Sequence, residues 1–305
     1  MKSNNSMRMA VVQFYTDANI EKNWDRAIAY LKEAAAEKVD LIVFPEHFLS
    51  SALDGPTDPM DRICALAREY GMDIVAGTYG ERDPSDGLVF NTCNYVDKYG
   101  QILMSYRKVH LWQVEGKYYK PGSEFCTVTN RFGVKVGLGV CFGKLSFSYE
   151  IIANTEVDLS FHDGFAEMAL NQGAELIVIP STWTLENCGW MGMKYNPKSQ
   201  VLKLDAYCAA RAFEYGVLLV LANGAASPRS IHSVDPENDM VLPGVLGTLA
   251  GHTQIVAPFK GDLRSCNHFY EEMIVQDINV SQLTRDAESV YKRREIWANK
   301  KKASL

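Results

Sequence analysis

The chain has 305 residues, 47% of them hydrophobic and 22% charged, a balance that excludes a disordered protein and allows a sizeable core. Its 31 basic and 37 acidic side chains leave a net charge of −6, which excludes a broad basic surface for nucleic acid. No stretch approaches the roughly 20 apolar residues that cross a bilayer, and the opening MKSNNSMRMAVVQF has no apolar core of signal-peptide length; both features point to the cytoplasm.

Short runs rich in Val and Ile predict buried strands at Met9 to Phe14, Leu41 to Phe44, Asp73 to Gly77, Val134 to Val140, Leu176 to Ile179 and Val217 to Ala222. Trp24, Ala27, Ile28, Leu31 and Ala35 recur at helical spacing after the first strand. Val201, Leu204, Cys208, Ala212 and Tyr215 do so before the last. Phe165 to Gln172 reads as a short helix with Gly173 just past its end. Two apolar runs between Phe90 and Lys108 flank a turn at Asp97-Lys98-Tyr99-Gly100 and predict an antiparallel hairpin. Ile231 to Ile278 looks similar, with turns at Asp235-Pro236 and Lys260-Gly261-Asp262. The expectation is an α/β fold with mixed sheets in one domain spanning 1–305. Seven cysteines with no Cys-x-x-Cys pair fit reduced thiols better than a disulfide frame, and six scattered histidines with no His-Glu-x-x-His give no metal site.

Four side chains could carry chemistry. Cys141 ends the run Val136-Gly137-Leu138-Gly139-Val140, where a rigid strand opens into a loop. A buried cysteine is usually a small hydrophobe, so a reactive one needs a base or a positive field beside it. Glu46 follows the strand Leu41 to Phe44 and Pro45; taken alone, it is a solvated strand-end acid. Lys108 closes the hairpin strand and alone is a surface lysine, and Glu115 alone is a loop acid.

Taken together and in this order, Glu46, Lys108 and Cys141 resemble the Glu-Lys-Cys triad of the nitrilase superfamily of carbon–nitrogen hydrolases. FPEHFLS is similar to the family's glutamate motif. YRKVHLW, Glu115 and Tyr119-Lys120-Pro121-Gly122 resemble its lysine motif and second glutamate, and GVKVGLGVCF resembles the strand leading to its nucleophile. AVVQF, Asn91-Thr92, GAELIVIPSTW and RAFEYGVLLVLAN extend the likeness over roughly residues 8–280. The resemblance implies a four-layer αββα sandwich that assembles into homodimers or larger homo-oligomers. It implies a small amide, N-carbamoyl or nitrile substrate and no cofactor or metal, while the charge balance and the lack of a membrane-length apolar stretch leave no nucleic acid or membrane partner expected. It also implies roles: Cys141 attacks and forms a thioester, Glu46 moves the proton, Lys108 and the Phe142 N–H hold the oxyanion, and Glu115 orients Lys108 or the substrate.

The pattern departs from the family after the nucleophile. Gly143 follows Cys141-Phe142 where an acid is usual, and the next helix arrives only at Gly164-Phe165-Ala166-Glu167. The intervening residues alternate, Leu145, Phe147, Tyr149 and Ile151 and then Val157, Leu159 and Phe161, so 144–163 reads as an inserted β-hairpin. Counting back from Glu167 without a gap would put Ser160 at the nucleophile position. The buried strand leading into Cys141 argues against that. Trp183, Trp190 and Tyr195 could wall an apolar pocket, though core packing explains them equally well. Phe142-Gly143 favours amide or carbamoyl cleavage over nitrile hydrolysis. A disturbed oxyanion hole would instead leave a binding or scaffold protein on the enzyme fold. Residues 281–305 form a tail whose Lys292-Arg293-Arg294 and Lys300-Lys301-Lys302 suit a solvated helix end.

Overall fold

Alternation along each strand sorts side chains into layers. A computed structural model describes residues 6–49, 58–111, 115–142, 158–159, 162–227, 234–235, 240–241 and 248–303, with the backbone alone at 141–142, 234–235, 240–241 and 303. The first half supplies β1 (Met7–Gln13), α1 (Ile20–Ala36), β2 (Leu41–Phe44), α2 (Met60–Tyr70), β3 (Asp73–Ala76), β4 (Tyr79–Arg82), β5 (Val89–Val96) and β6 (Ile102–Arg107). The second half supplies β7 (Thr127–Thr129), β8 (Lys135–Leu138), β9 (Cys141–Phe142), α3 (His162–Phe165), β10 (Leu176–Thr182), α4 (Gly189–Tyr195), α5 (Ser199–Tyr215) and β11 (Leu218–Asn223). The chain ends with β12 (Val234–Asp235), β13 (Met240–Val241), β14 (Gln254–Ala257), β15 (Gly261–Ser265), β16 (Glu272–Ile278), α6 (Val280–Tyr291) and α7 (Arg293–Ala303).

One sheet runs β16-β1-β2-β3-β5-β4, with β6 also on β5; the other runs β15-β14-β11-β10-β8-β7, with β9 also on β10. Both are mixed: β1, β2 and β3 are parallel, as are β8, β10 and β11, while the flanking strands are antiparallel. The two faces of β10 show the sorting. Leu176 and Val178 pack between the sheets with Met9, Val11 and Val43, while Ile177 and Ile179 face α5 through Leu204, Cys208 and Ala212. Ala10, Val12, Ile42 and Phe44 pack on α1 and α2. The result is the expected αββα sandwich.

The Phe90 to Lys108 hairpin forms as β5 and β6, paired from Thr92↔Arg107 to Val96↔Ile102. The sequence missed α2, and it ended β10 too early. Pro180, which has no N–H, lies where the ladder to β10 breaks between Leu138↔Val178 and Cys141↔Ser181, so the strand continues past it. Phe165 to Gln172 is helical, but Ala166–Asn171 is wound as a π-helix, with Gly173 at φ 80° beyond it. The tail folds: in α7, Trp297 Nε1 donates to Asn171 Oδ1 at 2.8 Å and Arg294 Nε to the Ala169 carbonyl at 3.1 Å. Of the expected hairpin, 143–157 and 160–161 lie outside the described residues. Asp158 and Leu159 form a turn and His162 and Asp163 begin α3, which corrects the expected strand at these positions. Leu159 is pulled into the layer beneath α5.

The loop after β2 rests on glycine. Gly77 has φ +57°, and a Cβ there would stand 2.1 Å from the Pro45 carbonyl oxygen. Gly77→Ala is therefore expected to cost more than about 1 kcal/mol and to displace Pro45-Glu46. Denaturant unfolding and turnover measured together check this.

Candidate active site

Four strands of the two sheets deliver their C-terminal ends to one place. Pro45 stops β2, and His47 in the left-handed region (φ 53°) turns the chain so that Glu46 points inward. The His47 N–H donates to Thr78 Oγ1 at 3.2 Å. Lys108 directly follows β6. Its N–H donates to the Asn91 carbonyl at 2.9 Å, and its own carbonyl accepts from Gly122 N at 2.8 Å. Gly122 packs against the Arg107 carbonyl, 2.1 Å from where a Cβ would sit, which accounts for the glycine of the Tyr-Lys-Pro-Gly motif. Glu115 opens a 3-10 turn, Glu115–Lys117, whose first carbonyl accepts from Tyr119 N at 2.7 Å.

Glu46, Lys108 and Glu115 are all buried. Lys108 Nζ stands 3.3 Å from Glu46 Oε1 and 2.9 Å from Glu115 Oε2. Asn91 Nδ2 closes the ring, donating to Glu46 Oε1 at 2.9 Å and Glu115 Oε1 at 3.0 Å. Thr182 Oγ1 donates to Glu46 Oε2 at 2.9 Å and ties the end of β10 to the end of β2.

Burial pushes Glu46 up to about 8; Lys108 opposes this, Glu115 adds to it, and the Asn91 and Thr182 hydrogen bonds oppose it again. Burial alone would lower Lys108, but Glu115 and Glu46 outweigh it and hold the ammonium above its ordinary value. One ammonium cannot neutralise two carboxylates in a dry site, which adds to the effect of burial in favouring the protonated form of Glu46. Ligand atoms of Glu46, His47 and Glu115 lie within 4.8 Å of one another. The Lys108 ammonium already bridges the two carboxylates and supplies the cation that such a donor set would otherwise attract.

The nucleophile's strand meets the same place. β9 pairs with β10 in the register Ser181↔Cys141 and Thr182↔Phe142. The backbone of 141–142 is therefore one strand away from the residue that touches Glu46. The side chains of Cys141 and Phe142, and all of Ser160, lie outside the described residues.

Trp183 and Tyr195 make no hydrogen bond to the carboxylates among the described residues. The Trp183 indole N–H donates to Gln200 Oε1 at 2.6 Å within the layer under α5, so core packing describes it. Tyr195 is 83% exposed at the end of α4, and Trp190 is 67% exposed on the same helix.

Three residues at or beside the site have no role that sequence pattern assigns. Asn91 enters the sequence pattern only as part of a motif, although a polar residue inside the apolar run VFNTCNYV is a usable signal. Thr182 lies inside the GAELIVIPSTW block, which by itself gives it no role. The alternation along 144–163 puts Asp158 on the polar side of a hairpin strand. It is instead buried and accepts from Val140 N at 2.7 Å, Tyr106 Oη at 2.6 Å and His110 N at 3.3 Å, with His110 Nδ1 at 3.0 Å. It thus takes up the N–H next to Cys141 where the ladder to β10 is broken.

Comparison with known proteins agrees with this geometry. The family model described as carbon-nitrogen hydrolase matches residues 8–288. The chain belongs to the carbon–nitrogen hydrolase family. It is an enzyme of that family, acting on carbon–nitrogen bonds. It is 24% identical over 305 residues to omega-amidase NIT2 of Xenopus tropicalis, covering 94% of each chain. Its fold is similar to a carbon-nitrogen hydrolase from Helicobacter pylori, with TM-score 0.74, 19% identity, and 95% and 94% of the two chains covered. It is also similar to an amidase from Nesterenkonia sp. AN1 solved with an acetamide moiety covalently added at the active-site cysteine, with TM-score 0.67, 20% identity, and 96% and 98% covered.

Two outcomes are expected. Glu46 has a folded value near 8 against an ordinary 4.5, so its contribution to stability is full below about 4.5 and is lost as pH rises to about 8. Glu46→Gln should therefore gain on the wild type across that window and level off above it, as read by denaturant unfolding at stepped pH. Asp158→Ala strands a buried N–H and a phenol and should cost about 2–3 kcal/mol, with lower turnover, checked by the same unfolding assay.

Proposed function

We propose that this enzyme hydrolyses a small amide or N-carbamoyl compound through a cysteine thioester, with Cys141 as nucleophile. The observation that carries the reading is the buried Glu46–Lys108–Glu115 cluster, placed one strand from the backbone of the nucleophile. Glu46 in its ionised form takes the thiol proton as sulfur attacks the carbonyl carbon. The tetrahedral oxyanion is held by the Lys108 ammonium and the Phe142 N–H, each such donor contributing about 3–4 kcal/mol to the transition state. Glu46 returns the proton to the departing amine or ammonia, and then draws one from the water that cleaves the thioester. Glu115 holds Lys108 against the attraction of Glu46, and Asn91 spans the two carboxylates. The omega-amidase name of one relative and the amidase name of another support an amide over a nitrile.

We place the enzyme in the cytoplasm as a homo-oligomer. Among the described residues no helix is long and apolar enough to cross a membrane, and exposed Trp190, Met191 and Tyr195 on α4 give a surface suited to a second copy.

Cys141→Ala should abolish ammonia release across a panel of amides, carbamoyl amino acids and nitriles, and Glu46→Gln should lower kcat/KM by about 10²–10⁴-fold. Because Glu46 acts ionised and is held near 8, kcat/KM should fall as pH drops through that region. Cys141 should also alkylate far faster than Cys93, Cys208 and Cys266, whose thiols burial pushes up. Full turnover by Cys141→Ala would remove the proposal.

A further inference from the structure

The two oxygens of Glu46 are held differently. Oε1 accepts from both Lys108 Nζ at 3.3 Å and Asn91 Nδ2 at 2.9 Å, which fills its two lone-pair directions. Among the described residues, Oε2 accepts only the Thr182 hydroxyl, at 2.9 Å, and keeps one direction open. Thr182 is also the register partner of Phe142, next to the nucleophile. The open oxygen is therefore the one tied to the nucleophile's side of the site, and the saturated oxygen is tied to the lysine's side.

We propose that Oε2 is the oxygen of Glu46 that takes and returns the nucleophile's proton, and that Thr182 is a positioning residue that aims this oxygen and keeps it ionisable. The inference rests on the catalytic role of Glu46 given above. The proton passes from the thiol sulfur to the open lone pair of Oε2 as the carbon–sulfur bond forms. It leaves to the amine nitrogen as the carbon–nitrogen bond breaks. The Thr182 proton stays on Oγ1 throughout, because a hydroxyl is far too weak an acid to surrender it to a carboxylate. Its hydrogen bond is stronger to the ionised carboxylate than to the acid, so it favours the working form of the base.

The groups around Glu46 oppose one another. Lys108, after β6, favours the ionised form, and Glu115 on its 3-10 turn opposes it. Asn91 on β5 donates from one side, within 3.5 Å of the His47 ring. The Tyr119 phenol and the Cys93 thiol also lie within the carboxylate's field. Thr182 is the member of this set contributed by the nucleophile's sheet. A hydroxyl that merely clasped the two sheets would affect folding and leave the titration of Glu46 unchanged.

The test compares pH profiles of kcat/KM, with ammonia release as readout, for wild type, Thr182→Val, Thr182→Ala and Thr182→Ser. Removing the hydroxyl should move the acid limb upward by about one pH unit, a tenfold loss of active base at a given pH below the limb. Thr182→Ser should restore the wild-type limb. In a Glu46→Gln background, Thr182→Val should have no further effect on the profile. The alanine variant carries the test if the valine variant does not fold. A limb that stays in place without the hydroxyl, or a serine variant shifted as far as the valine one, overturns the proposal and leaves Glu46 as the base. Wild-type turnover and limb in Glu46→Gln would overturn the catalytic role of Glu46, and this proposal with it.

Discussion

The site depends on one buried ammonium held between two buried carboxylates. Lys108 lies 3.3 Å from Glu46 and 2.9 Å from Glu115, and all three are buried. Desolvating such ions costs several kcal/mol apiece, and mutual attraction offsets this only when geometry and hydrogen bonds are complete. Asn91 supplies hydrogen bonds on the lysine side and Thr182 supplies one on the other, leaving one direction of Glu46 Oε2 open among the described residues. Burial, with the second carboxylate of Glu115 adding to it, holds the proton affinity of Glu46 high enough for a general base near neutral pH.

The sandwich makes this cluster possible by aligning strand ends. Glu46, Lys108 and the backbone of Cys141 follow β2, β6 and β8 on two different sheets, and the Thr182 hydrogen bond joins those sheets at the site. Backbone fit near the acid is tight: Gly77 leaves no room between itself and Pro45, and Gly122 leaves none against Arg107. Asp158 adds a second brace. It re-enters the core after the departure from the family pattern and holds the Val140 N–H together with Tyr106 and His110 of the lysine segment. The burial of the Tyr106 phenol beside that carboxylate raises it well above its ordinary value and keeps it a donor.

The layers and the principal strands were legible because burial on both faces writes a continuous apolar run, as in Leu41 to Phe44 and Leu218 to Ala222. α2 was not, since its few buried positions, Met60, Ile63, Leu66 and Ala67, are interspersed with charge. Pro180 gave a false strand end because a local rule cannot register a gap in the neighbouring ladder. In the site, Glu46, Lys108 and Glu115 could be named from strand-end position and motif order. Asn91 and Thr182 could not be given their roles, because each acts through a partner at least 45 residues away.

The sequence by itself determined the alternation of strand and helix, the family, and the identities of the acids and the lysine, since these follow from periodicity and from short ordered motifs. Only the tertiary structure decided that both carboxylates share one ammonium, that Trp183 belongs to the core, and that Asp158 is buried rather than solvated. The physical reason is that hydrogen bonding and desolvation are properties of a place. A place exists only once the two sheets have stacked and brought distant strand ends together.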